Sequence, residues 1–124
     1  MADSVLQPSS LADLQTIFSG NTYVAIDFYA DWCGPCKVIS PVFAKLGKKH
    51  GIAGTLAFAK VNVDNAKDIA QKYQISAMPT FMFFKDGKQV GVNGQPMIRG
   101  ADAKSLNAAA EKLGGLAKKK VEGS

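Results

Sequence analysis

Tyr23-Val24-Ala25-Ile26-Asp27-Phe28-Tyr29-Ala30-Asp31-Trp32-Cys33-Gly34-Pro35-Cys36 holds both cysteines and the only tryptophan of a 124-residue chain. Its first part is apolar on both faces of a period-two strand. Val24, Ile26 and Phe28 lie on one side, with Tyr23, Ala25 and Tyr29 on the other. A strand covered on both faces is central in an α/β sheet. Asp27 is its only charge. From Gly34 the period changes, and Val38, Ile39, Val42, Phe43 and Leu46 form one helical stripe. Pro41 lies inside that helix and is expected to kink it. Lys48, Lys49 and His50 suit the negative end of the helix dipole, and Gly51 follows as a stop.

Upstream, Ser4-Val5-Leu6 reads as a short edge strand broken by Pro8. Ser10 and Asp13 form a capping-box signal before Leu11, Leu14, Ile17 and Phe18, which recur at helical spacing. Gly20 is placed to end that helix. Downstream, Leu56 to Val63 is a strand, and Asp64 or Asn65 is expected to cap a short helix with Ile69, Ala70 and Tyr73 inward. Thr80 to Phe84 is a strong strand, and Asp86-Gly87 is a hairpin turn. Lys88-Gln89-Val90 starts the return strand. A second turn signal, Asn93-Gly94, interrupts it, and Met97-Ile98-Arg99 is placed to resume it. Asp102 caps a last helix with Leu106, Ala109, Ala110 and Leu113 inward. Gly114-Gly115 weakens that helix, so residues 116–124 are expected to be a frayed, flexible basic tail after a domain of residues 1–115. Strands alternating with helices and ending in a hairpin imply a mixed sheet covered on both faces.

A chain of this length suits one domain, and 47% hydrophobic residues can build a core without staples. Charged residues make up 20% and the net charge is +5. Lys45, Lys48, Lys49 and the Lys118-Lys119-Lys120 run carry much of the excess. With no nucleic-acid motif beside them they read as solvated faces, so neither nucleic acid nor membrane is expected as a partner. Residues 1–20 contain Asp3 and Asp13 but no Lys or Arg. They resemble neither a secretory leader nor an Arg-rich transit segment. No apolar stretch approaches the ~18 residues of a bilayer span. The expected location is cytoplasmic, where a cysteine pair is redox-active or metal-binding more often than a structural staple.

Zinc needs about four ligands, and beyond Cys33 and Cys36 the chain offers only His50, far along the next helix. An iron–sulfur cluster meets the same shortage. A structural disulfide over so short a loop constrains little of the unfolded chain. The favoured reading is a reversible dithiol. Cys33 falls at the positive end of the following helix, where N–H groups and the dipole stabilise a thiolate. Cys36, one turn on, is placed to attack a mixed disulfide and release the reduced product. Gly34 lets a substrate chain approach, and Pro35 lacks an N–H where none is needed. Asp27 reads either as a satisfied buried carboxylate or as a proton acceptor and donor for the thiols, its pKa raised by desolvation. Lys60, on the adjacent strand, opposes part of that rise. Trp32 is either core or a contact platform. Met78-Pro79 alone says little, because X-Pro bonds are mostly trans.

Several separated motifs, in this order, resemble the thioredoxin family: Asp27, Trp32-Cys33-Gly34-Pro35-Cys36, Pro41, Ala59-Lys60-Val61-Asn62-Val63-Asp64, Met78-Pro79-Thr80, Phe84-Lys85-Asp86-Gly87 and Arg99-Gly100-Ala101. The resemblance spans roughly Val5 to Leu113. It implies a thioredoxin fold, a central mixed five-stranded sheet flanked by four helices. It implies a protein-disulfide reductase that cycles between a dithiol and a Cys33–Cys36 disulfide. Cys33 would be the nucleophile, Cys36 the resolving cysteine, Asp27 the buried carboxylate and Lys60 its neighbour. Pro79 would be cis and face the disulfide, with the Met78 backbone pairing with substrate. Trp32, Gly34, Pro35, Met78, Pro79, Arg99, Gly100 and Ala101 would form the docking surface. The implied partners are disulfide-containing proteins and an NADPH-dependent flavoprotein, thioredoxin reductase. The chain itself would be a monomer holding no cofactor and no metal.

The chain departs from the family pattern in three places. Tyr29 stands where many members have tryptophan, the Gly91 to Ile98 stretch is longer than usual, and the basic segment after Gly115 is extra. Two other readings compete. One is an oxidase or isomerase-type domain of the same fold; the missing leader speaks against it, as does Pro35, where that class usually carries histidine. The other is a non-catalytic binding subunit that uses the fold as a surface.

Overall fold

The computed structural model describes residues 4–123, and residues 1–3 and 124, the ends of the expected domain and tail, lie outside them. The elements run β1 (Val5–Leu6), α1 (Leu11–Gly20), β2 (Tyr23–Tyr29), α2 (Gly34–His50), β3 (Leu56–Asn62), α3 (Lys67–Lys72), β4 (Thr80–Lys85), β5 (Lys88–Val90), β6 (Ile98–Arg99) and α4 (Ala103–Glu122). The doubly apolar strand β2 is central, pairing parallel with β3 and antiparallel with β4. The sheet order is β1-β3-β2-β4-β5.

The sixth segment refines the five-stranded expectation. β5 lies opposite Phe83 to Lys85 and β6 opposite Thr80 and Phe81, so both occupy the outer edge of β4. They form one edge strand whose middle leaves the sheet. The cause is the second turn signal: Asn93 and Gly94 both have positive φ, 53° and 79°, and Val92 bridges Gln95 across them.

Alternation along the central strands sorts the core into two layers. Tyr23, Ala25, Phe81 and Phe83 pack with Ile39 and Phe43 of α2 and Leu106 and Ala110 of α4. Val24, Ile26, Phe28, Met82 and Phe84 pack with Leu14 and Phe18 of α1 and Ile69 of α3. Burying one such side chain is worth about 1.5–3 kcal/mol, so the two sheet faces dominate the energetics.

Helix ends follow the expected chemistry with corrections. Ser10 Oγ accepts the Asp13 N–H at 3.1 Å, but the Asp13 carboxylate returns the bond to Ser9 N–H and Oγ. Asp102 caps α4, accepting the Ser105 N–H at 3.1 Å. Neither Asp64 nor Asn65 caps α3; the N-cap is Ala66, whose side chain makes no hydrogen bond. Val38 does not join the buried stripe of α2 and is 74% exposed, because it lies past the edge of the face formed by Ile39, Phe43 and Leu46.

The segment after Gly115 is helical, where Gly114-Gly115 suggested a weakened helix end. α4 runs through Gly114-Gly115 to Glu122, and Ala117 is fully buried. Gly114 is not a breaker here. A Cβ at that position would meet His50 Nδ1 at 2.5 Å, so the glycine lets the end of α2 approach α4. The packing gained there offsets the ~1 kcal/mol that glycine costs a helix.

Candidate active site

Strand β2 delivers the chain to the top of the sheet and α2 carries it away. Cys33 is the last of the four residues between them and the N-cap of α2. Its Sγ accepts the Cys36 N–H at 3.2 Å, the bond that serine or aspartate makes at other helix starts. Pro35 occupies the first helical turn, where its missing N–H costs nothing. Cys33 and Cys36 are joined by a disulfide, with Cα atoms 5.3 Å apart. Both are nearly buried, while Trp32, Gly34 and Pro35 around them are exposed.

Two distant segments close on this turn. The Met78–Pro79 peptide is cis, and the Met78 carbonyl oxygen lies 3.7 Å from Cys33 Sγ. Half-buried Met78 also packs against Ala30 and the cysteines. The Pro79 carbonyl in turn accepts the Gly100 N–H at 2.8 Å, and Gly100 turns away with φ 85°. Thus Met78 lies against the disulfide, and the Arg99-Gly100-Ala101 loop is tied to Pro79 beside it, with Arg99 and Ala101 exposed. Trp32 is 70% exposed and is not core. Its Nε1–H donates to Asp64 Oδ2 at 3.0 Å.

Asp27 lies beneath α2, on the sheet face shared with Tyr23 and Ala25, and only 3% of it is exposed. Its Oδ1 is buried without a hydrogen-bond partner. Lys60 stands directly opposite on β3. Burial pushes the Asp27 pKa up to about 7, and the Lys60 charge offsets only part of that rise. The competition left open by the sequence is therefore won by desolvation. A cavity of about 280 Å³ joins Asp27, Lys60 and Tyr29 to Cys36 and Pro41; Cys33 is not among its lining residues.

Sequence reasoning missed a polar network under the indole. Asp64 Oδ2 receives the Trp32 N–H, Asn62 Oδ1 accepts the Asp64 N–H at 3.0 Å, and Asn62 Nδ2 donates to Asp31 at 3.3 Å. Asp64 is spent on Trp32, which explains why it does not cap α3. The pair is 32 positions apart, so no local period signals it.

A thioredoxin family model matches residues 9–112. The chain belongs to the thioredoxin family. A thioredoxin-like protein of Fusarium culmorum is 62% identical over 112 residues, covering 90% of this chain and 93% of that one. A thioredoxin of Neurospora crassa is 55% identical over 121 residues, covering 98% and 95%. The crystal structure of Malassezia sympodialis thioredoxin superposes with a TM-score of 0.79 at 40% identity, covering 91% of this chain and 93% of that one. The thioredoxin fold and a redox disulfide between Cys33 and Cys36 make this chain a thiol–disulfide oxidoreductase, a redox carrier for disulfide-containing substrates. Among the described residues no helix is long and apolar enough to cross a membrane.

Proposed function

We propose that the chain works as a reductant of protein disulfides, with distinct roles for its two sulfurs. The Cys33 thiolate attacks one sulfur of the substrate disulfide and the other leaves as a thiolate. The Cys36 thiol then gives its proton to the Asp27 carboxylate and attacks Cys33 Sγ, which releases the second substrate sulfur and forms the Cys33–Cys36 disulfide. Two electrons pass to the substrate.

The observation that carries this division of labour is the placement of the two sulfurs. Cys33 Sγ is the one set against the Met78 carbonyl, while Cys36 lines the cavity that reaches Asp27. Lys60, beside Asp27, limits how far the carboxyl pKa rises. Trp32, Gly34, Pro35, Met78, Pro79, Arg99, Gly100 and Ala101 form the docking surface for the substrate chain. The carrier is re-reduced by an NADPH-dependent thioredoxin reductase and acts as a cytoplasmic monomer.

Insulin reduction coupled to NADPH and a thioredoxin reductase tests the roles. The Cys33→Ser variant is expected to be inactive and the Cys36→Ser variant to accumulate a mixed disulfide with substrate. Unchanged turnover in Cys33→Ser sinks the reading. A reduction potential more oxidising than that of the glutathione pool would favour the oxidase or isomerase reading instead.

A further inference from the structure

The two unusual segments, the longer stretch after β5 and the chain beyond Leu113, meet in space. Together they wall a groove of about 240 Å³ between the sheet edge and α4. Tyr23, Val90, Val92 and Leu116 give it apolar walls, and Lys85 and Lys112 are the only charges lining it. It is smaller than the ~300 Å³ at which small-molecule pockets begin, so it suits one side chain rather than a whole ligand.

Its surroundings favour an anion. Lys85 and Lys88 are direct partners across the β4–β5 hairpin and both are exposed. Like charges set opposite each other in a sheet repel, and an anionic group between them relieves that repulsion. Lys112, Leu116, Lys119 and Lys120 fall at i, i+4, i+7 and i+8, one face of α4. Asp86, in the turn between Lys85 and Lys88, is the nearest acid in sequence. Glu111, the neighbour of Lys112, acts electrostatically on His50. The groove lies at the Tyr23 end of β2 and the disulfide beyond its Tyr29 end, so about 20 Å of strand separates them. A bound segment leaves the redox face open.

We propose that this groove docks an acidic segment of a partner protein, with one apolar side chain seated between Val90, Val92 and Leu116 and carboxylates on Lys85, Lys88 and Lys112. The apolar walls favour such a peptide over nucleic acid or a lipid surface, because a purely phosphate-directed site needs no side-chain-sized slot.

The probe is a short synthetic peptide of glutamates around a single central leucine, titrated into the oxidised full chain and followed by amide chemical shifts. Saturable shifts are expected at residues 88–95 and 112–120. Affinity should fall roughly tenfold or more in Lys85→Glu/Lys112→Glu and as salt is raised. It should also fall when alanine replaces the peptide's leucine. Insulin reduction by that variant should be unchanged, which shows that it is folded. The proposal is overturned by shifts that are absent or confined to the disulfide face, or by binding that survives the charge reversal. It also falls if the alanine peptide binds equally well, if anionic phosphatidylserine vesicles compete fully with the peptide, or if self-association of the chain produces the same shifts.

Discussion

Asp27→Asn should tilt the pH dependence of stability. In the unfolded chain this carboxyl titrates near 3.8, and in the folded protein burial raises its pKa to about 7. Between those values the folded protein keeps a proton that the unfolded chain releases. Stability therefore falls as pH rises through that window and is level above it. Each pKa unit is worth about 1.4 kcal/mol, so an ionised Asp27 costs the native state about 4 kcal/mol relative to the protonated form. The asparagine variant has no such slope. Its stability relative to the parent should climb by about 4 kcal/mol from about pH 4 to about pH 8. The amide introduces a donor into a site where Asp27 Oδ1 already lacks a partner. That adds a constant cost of about 1–3 kcal/mol, which shifts the curve without tilting it.

Urea unfolding of the oxidised forms across that pH range measures the effect, with the midpoint difference multiplied by a common m-value. Other titrating groups, such as Asp13, Asp102 and His50, occur in both proteins and cancel in the difference. Parallel stability curves would show that the carboxyl is ionised in the folded protein well below neutrality. Both the desolvation argument and the proton-transfer role would then fall together.

The same substitution should slow disulfide exchange by about 10²-fold near neutral pH and much less at alkaline pH, where a thiol ionises without help; equal slowing at every pH in a stopped-flow assay would remove the proton-transfer role. Gly114→Ala should destabilise by about 1 kcal/mol net, because the new Cβ would meet His50 Nδ1 at 2.5 Å and the cost of overpacking exceeds the helix gain. Gly115→Ala meets nothing within 4 Å and should stabilise by up to about 1 kcal/mol; thermal unfolding of the pair checks both signs. Ending the chain after Gly115 should cost about 1–2 kcal/mol through loss of the buried Ala117 contact and the last turns of α4; no loss of stability would favour the flexible-tail reading.

What the sequence made legible and what it hid divide along a physical line. Features set by local periodicity were readable: the doubly apolar β2, the Cys33 N-cap with Pro35 behind it, the Asp86-Gly87 and Asn93-Gly94 turns and the Asp102 cap all stand where residue chemistry within a few positions puts them. Features set by what lies across a packing interface were not. Gly114-Gly115 looks like a helix breaker to any local rule, and only the His50 ring on another helix turns Gly114 into a contact. Asp64 looks like a cap until Trp32 claims its carboxylate. Asp27 and Lys60 are the sharpest case. Strand pairing could be anticipated, but the sign of the net effect depends on how much water the α2 layer excludes. A lysine beside a carboxylate predicts a lowered pKa in solvent; beneath α2, with one oxygen unpaired, the same pair leaves the carboxyl near neutrality. Any change that opens the cavity toward Pro41 and Tyr29 should therefore lower the Asp27 pKa without touching either charge.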